Sequence, residues 1–164
     1  GAYQICVGYN VDNMTEDNTV KIPYYETSGF CFSNFSAHAI DYQGVVYPTA
    51  EHAFHAQKFD DATLREQIIN CGSPLLAWEL GRKLKPQRRT DWDDVKVGIL
   101  TDIIREKVRQ YPEVKSALEE TGDRQILEVN DDDDFWGTGA DGNGQNHTGK
   151  ILMKIRDELV KGVL

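Results

Sequence analysis

Pro48-Thr49-Ala50-Glu51-His52-Ala53-Phe54-His55-Ala56-Gln57-Lys58-Phe59 starts with a turn former and continues with helical periodicity. Thr49 stands where a hydroxyl caps a first turn, and Glu51 within that turn suits the positive end of a helix. At 3.6 residues per turn Glu51, His55 and Lys58 share one stripe, and Ala50, Ala53 and Ala56 share the opposite one. Alanines allow close packing against a neighbouring element. The spacing therefore predicts a helix through Lys58, buried on its alanine side and presenting an acid, an imidazole and an amine on the other. An exposed helix with an ordinary Glu–Lys pair carries the same stripe. What favours chemistry is the place of Lys58 between Phe54 and Phe59, because a partly desolvated lysine has a lowered pKa and acts as a nucleophile.

Upstream, Ile40-Asp41-Tyr42 and Val45-Val46-Tyr47 flank Gln43-Gly44, the pattern of a small antiparallel hairpin. Downstream, helical texture resumes over residues 62–70 and 74–84 and breaks at Lys85-Pro86. Asp91 caps a long helix to about Tyr111, and Pro112 opens a shorter one that Thr121-Gly122 stops. Residues 126–129 read as a strand and 131–145 as a loop rich in Asp and Gly. A last amphipathic helix begins near Asn146, with Ile151, Leu152, Ile155 and Leu159 on one side. The class is α+β: a single, mainly helical domain with a small antiparallel β part. Residues 1–27 form a strand and loop segment of that domain and residues 28–164 its main body.

The 164 residues suit one ordinary domain. A formal net charge of -9 argues against an extended nucleic-acid groove, which needs many Lys and Arg contacts to phosphate. It leaves room for a nucleotide, or a modified base at an exposed nucleic-acid end, in one local basic pocket. No stretch approaches the roughly 18 apolar residues of a membrane span, and no basic-then-apolar start marks a secretory signal. Cys6, Cys31 and Cys71 are an odd, scattered set, which fits a reducing compartment and has no metal-ligand spacing. An intracellular setting, cytoplasmic or nuclear, with no membrane partner, is expected.

Asp131-Asp132-Asp133-Asp134-Phe135-Trp136-Gly137-Thr138-Gly139 first suggests calcium. The calcium loop needs alternating oxygen ligands and a closing Glu, and Phe135 and Trp136 stand where oxygens belong. Asp131–Asp133 then read as a solvated acidic loop. Glycines at 137 and 139 let backbone N–H groups approach phosphate or ribose, Trp136 offers a face for a base, and the helix start near Asn146 favours an anion. A basic elbow, Gly81-Arg82-Lys83 and Arg88-Arg89-Thr90-Asp91-Trp92, supplies guanidinium forks for phosphate and a second aromatic for stacking. Lys107 falls inside the apolar stripe of the long helix. It either snorkels or pairs with a buried carboxylate.

Three motif blocks carry a family resemblance. The first is Phe32-Ser33-Asn34-Phe35, Gly44, Tyr47-Pro48-Thr49-Ala50-Glu51-His52 and Gln57-Lys58-Phe59. The second is Gly81-Arg82 with Arg89-Thr90-Asp91-Trp92. The third runs from Lys107 through Thr121-Gly122, Leu127-Glu128, Asp134-Phe135-Trp136-Gly137-Thr138-Gly139 and Gly144-Gln145-Asn146 to Gly149 and Leu152-Met153-Lys154-Ile155-Arg156. In this order they resemble the NADAR (NAD- and ADP-ribose-associated), or YbiA-like, family. Ala53 and His55 stand where many relatives have an aromatic residue and Gln.

The resemblance implies an α+β, largely helical catalytic domain over residues 28–164. It implies N-glycosidase activity on ADP-ribosylated guanine, in nucleic acid or as a nucleoside, or on ribosylated pyrimidine intermediates of riboflavin synthesis. A module that only reads ADP-ribose is the non-catalytic alternative. Lys58 is implied as covalent nucleophile, and Glu51 and Asp134 as acid/base or ribose-positioning groups. Ser33, Asn34, Phe35, His52, Gln57, Arg82, Arg89, Asp91, Trp92, Trp136, Gly137, Gly139 and Asn146 are the expected ligand-binding positions. No metal and no cofactor is called for. A lysine Schiff base and a pair of carboxylates supporting an oxocarbenium-like transition state are both open as mechanisms.

Overall fold

The computed structural model describes residues 18–22 and 30–164. A boundary at residues 27 and 28 lies outside the described residues. The described residues form two compact units, one made of residues 34–110 and the other of residues 18–22, 30–33 and 111–164.

In the unit of residues 34–110, β2 (Ile40–Tyr42) and β3 (Val45–Tyr47) pair antiparallel, with Ile40 opposite Tyr47. Gln43 and Gly44 take φ of 54° and 83°. Two successive positive φ values give the turn whose twist matches the flanking strands, and Asp41 Oδ1 accepts the Gly44 N–H at 3.1 Å. Four helices follow: α1 (Ala50–Ala56), α2 (Ala62–Ile69), α3 (Pro74–Lys83) and α4 (Trp92–Gln110). The first three are capped by side chains, as their sequences require. Thr49 accepts from His52 N–H, Asp61 from Thr63 and Leu64, and Ser73, with Pro74 at the first position, from Leu76. Helix α1 packs against α2, α3, α4 and both strands of the hairpin, so it is central to this unit.

That position changes the picture of α1 drawn from its stripe. All seven of its residues are buried, the polar side included. The helix also ends earlier than its pattern suggests, at Ala56 with Gln57 as C-cap. Lys58 N–H and Phe59 N–H bond back to His55 and Ala56 carbonyls three residues before, the tightened turn that often closes a helix. Lys58 thus sits on the turn beyond the helix.

In the other unit, β1 (Thr19–Ile22) pairs with β4 (Gln125–Glu128) in parallel, Thr19 opposite Gln125. The antiparallel part expected from sequence is the β2–β3 hairpin; the β1–β4 pair is a separate, parallel one. Helix α5 (Pro112–Glu120) stops at Thr121-Gly122, with Gly122 at φ 64°. Helix α6 (His147–Val160) packs on β4 and α5, burying Ile151, Leu152 and Ile155. Among the described residues, no helix is long and apolar enough to cross a membrane.

Candidate active site

The N-terminus of α1 is built from four polar contacts. Asn34 places its carbonyl 3.0 Å from the Glu51 N–H. Thr49 Oγ1 accepts the His52 N–H at 3.2 Å and lies 2.8 Å from His52 Nδ1. His52 Nε2 is 2.9 Å from the Cys71 carbonyl. A carbonyl only accepts, so Nε2 carries the proton, and neutral Nδ1 takes the Thr49 hydroxyl proton. His52, 1% exposed, therefore spends Nδ1 on the cap of its own helix and Nε2 on holding α1 to the segment before α3. Gln57, expected at a ligand, donates its amide to Tyr47 Oη at 3.1 Å and to the Ala53 carbonyl at 3.2 Å.

One turn on, His55 Nε2 meets Glu51 Oε1 at 2.6 Å. Both residues are buried, with 3% and 8% exposure. Burial pushes the His55 imidazole below its ordinary value, against the pull of the Glu51 carboxylate. The room for this ring comes from α3: a Cβ on Gly81 would stand 2.7 Å from His55 Nδ1.

Lys58 completes the stripe. Its ammonium lies 6.0 Å from the Phe54 ring centre and 5.7 Å from that of Trp92. Those two rings pack at 4.9 Å. Burial pushes the amine down to about 8; Glu51 pulls it up, and Arg88, Lys96 and Lys85 push it further down. The aromatic partners are Phe54 and Trp92. Phe59, named from sequence, is 0% exposed in the core. Trp92 is 3% exposed, so this ring forms the bed under Lys58 and is not an open stacking face.

The basic elbow reaches the same place. The Arg89 N–H donates to the Lys58 carbonyl at 2.7 Å. Its guanidinium grips Asp91 with Nε to Oδ1 at 2.6 Å and Nη2 to Oδ2 at 2.9 Å, and holds that carboxyl below the usual range. Arg88 pairs with Asp93 at 3.3 Å. Arg82 lies 4.6 Å from the Trp78 ring centre. Trp78 was not singled out from sequence, although its i,i+4 spacing from Arg82 is a legible signal. In the same unit Lys107 is 3% exposed and donates to Ser36 Oγ at 2.6 Å; Ser36 Oγ in turn lies 2.7 Å from His38 Nδ1. A lysine so deeply buried does not snorkel.

The Gly-rich loop belongs to the other unit, as does Ser33, whose N–H donates to the Phe30 carbonyl at 3.0 Å. Phe35 is half-buried in the unit of α1. Asp133 is more than a solvated acid: Oδ1 accepts the N–H groups of Phe135 and Trp136 at 3.0 and 2.8 Å and so sets the turn. Asp134 is exposed. The reading of the α6 N-terminus as an anion site needs correction. The N–H groups of Gln145, Asn146, His147 and Thr148 donate to the carbonyls of Asp134, Gly137, Phe135 and Trp136 at 2.7 to 3.1 Å. Loop carbonyls have taken the donors an anion would use. Asn146, at φ 52°, is spent on β4: Oδ1 accepts from Glu128 N–H and Nδ2 donates to the Ile126 carbonyl, both at 2.9 Å. Gly137 fits close packing, since a Cβ there would meet the Glu128 carbonyl at 2.8 Å, and Gly139 has φ 68°. Trp136 is half-buried and lies edge-on to Phe135, which packs tilted at 37° against His147 at 4.4 Å.

A family model, the NADAR domain, matches residues 20–160. The chain is 37% identical over 151 residues to the N-glycosidase YbiA of Shigella boydii, covering 91% of this chain and 93% of that protein. It is 36% identical over 158 residues to the riboflavin biosynthesis protein VVA0006 of Vibrio vulnificus, covering 93% of this chain but 43% of that relative's length. The NMR structure of the E. coli protein YbiA aligns with a TM-score of 0.79 at 34% identity, over 94% of this chain and 92% of that one. The fold is therefore the α+β fold of YbiA. The chain belongs to the NADAR domain family.

Proposed function

We propose that this N-glycosyl hydrolase cleaves the bond between ADP-ribose and a guanine base, reversing guanine ADP-ribosylation, with Lys58 as nucleophile. The hydrolase class rests on the relative named N-glycosidase, 37% identical over nearly the full length of both chains. The observation that carries the lysine mechanism is an amine held at about 8 by burial beside Glu51. A lysine at its ordinary value is almost wholly protonated at neutral pH, and one near 8 supplies a useful neutral fraction. A module that merely read ADP-ribose would have no use for it.

In this scheme the neutral amine bonds to ribose C1 while the bond from C1 to the ring oxygen breaks and that oxygen takes up a proton. The lysine nitrogen then gives its electron pair to form C1=N, and the bond to guanine breaks with the base leaving protonated. Water adds to C1, the lysine departs, and the freed aldehyde closes to the ring sugar. Glu51 takes and returns protons or holds the ribose hydroxyls, and Asp134 is retained as a proposed acid/base group. Lys85, Arg88 and Lys96, whose charges are felt at Lys58, suit the diphosphate.

The name of the Vibrio relative favours a second substrate, a ribosylated pyrimidine of riboflavin synthesis. Base release from ADP-ribosyl-guanosine and from a ribosylamino-pyrimidine phosphate, measured side by side, decides between them. Faster turnover of the pyrimidine would overturn the guanine reading, and turnover of neither would overturn both.

A further inference from the structure

Two buried groups share one contact in α1, and the contact leaves one nitrogen over. His55 Nε2 is 2.6 Å from Glu51 Oε1. His55 Nδ1 is buried with no partner among the described residues, and it faces the backbone of Gly81, which offers it no side chain. The imidazolium would bury a charge and leave an N–H unpaired. The tautomer with its proton on Nδ1 would bury an unpaired N–H and require a protonated Glu51 to donate. The tautomer with its proton on Nε2 gives Glu51 a donor and leaves only a bare acceptor at Nδ1. Orphaned buried N–H groups are the rarest of these outcomes. The ionisable groups that bear on the ring are Glu51, Lys58 and His52; α3 brings glycine to it. Burial disfavours the charged form of the ring, in agreement.

We infer that His55 is a positioning residue: neutral and protonated on Nε2, it holds Glu51 as a carboxylate through Oε1 and leaves Oε2 to face the reaction. Oε2 has no bond among the described residues. Glu51 then enters the cycle as a base and as an acceptor for sugar hydroxyls, and a proton it returns to the leaving base is one it has first taken up. Gly81 belongs to the same device, because a methyl group there would displace the ring. This deepens the N-glycosidase reading and rests on it for its kinetic arm alone.

The test has two arms. Ring-nitrogen NMR on the isotopically labelled protein reports the His55 tautomer without any substrate. The expected result is a neutral ring protonated on Nε2 between about pH 6 and 8. A proton on Nδ1, or an imidazolium in that range, overturns the inference. In the kinetic arm, His55→Leu is expected to lower kcat by on the order of tenfold or more with KM little changed. His55→Gln, which keeps an amide donor for Oε1, is expected to restore most of kcat. Gly81→Ala is expected to fall between them. Parent-like kcat in His55→Leu, or no rescue by Gln in variants whose melting points match, overturns the positioning role. If the parent releases neither base, the proposed activity fails while the NMR arm still decides the tautomer.

Discussion

The Arg89 N–H donates to the Lys58 carbonyl at 2.7 Å, which fastens the basic elbow to the turn that carries the proposed nucleophile. The same segment holds Arg88, whose charge helps depress Lys58, and leads into Trp92, the ring beneath its ammonium. Residues about thirty positions apart in the chain thereby set one amine's protonation.

The first consequence is a pH profile. Burial is the main cause of the lowered Lys58 value and Lys96 adds to it. If the neutral amine attacks, kcat/KM rises with pH and levels off above about 8. Lys96→Met removes a neighbouring positive charge, so the ammonium becomes easier to keep and the ascending limb moves to higher pH. A limb that stays put in this variant assigns the titration to another group.

Lys58→Ala is expected to abolish turnover with the fold intact. Lys58→Arg is expected to fail equally, with a loss on the order of 10³-fold or more, because a guanidinium stays protonated and forms no Schiff base. Borohydride added during turnover should attach the sugar to the parent protein and to neither variant. Substantial activity in Lys58→Arg under saturating substrate would leave a mechanism without a covalent bond.

Phosphate binding separates the two arginines. Arg82 is exposed and lies 4.6 Å from the Trp78 ring centre, whereas the Arg89 fork is already closed on Asp91. Arg82→Ala should weaken ADP-ribose binding by about 1.5–3 kcal/mol, the value of a charged hydrogen bond. Arg89→Ala should cost less, since Asp91 offsets its charge. Calorimetric titration of both variants checks this, and parent-like binding in both would make the elbow an ordinary solvated turn.

Asn146 tests the opposite role. Its side-chain amide satisfies the Ile126 carbonyl and the Glu128 N–H. Asn146→Ala leaves both without that partner, at about 1–3 kcal/mol each, so the melting temperature should fall clearly. Unchanged stability together with weakened ADP-ribose binding would return Asn146 to the ligand.

The sequence carried what is local. Hydroxyl and carboxylate caps, Gln43-Gly44 at a hairpin, and glycine after α5 act within a few residues, so their spacing is their mechanism. The desolvation of Lys58 was legible through Phe54, whereas Phe59 lies in the core and Trp92 supplies the second ring. Periodicity could not show how many neighbours surround a helix, and so the polar side of α1 looked open although three helices and a hairpin enclose it. For the same reason Trp92 suggested a stacking face and forms the bed of Lys58. The α6 terminus misled differently: free N–H groups are the rule at a helix start, and nothing in the spacing announces that the preceding loop will fold back and supply four carbonyls. The β1–β4 pair joins residues 19–22 to 125–128, a separation no local pattern encodes.

That last pairing bears on the order in which the molecule is made. Residues 34–110 are a complete unit interrupting the one to which β1 belongs. During synthesis β1 leaves the ribosome long before β4 exists, whereas the interrupting unit has all its strands and helices in hand once residue 110 is out. Closing so long a segment is entropically costly while its interior is still unstructured, and contacts of this sequence separation form slowly. The inserted unit is thus able to fold before β4 has been made, and the parallel pair of β1 with β4 comes after it.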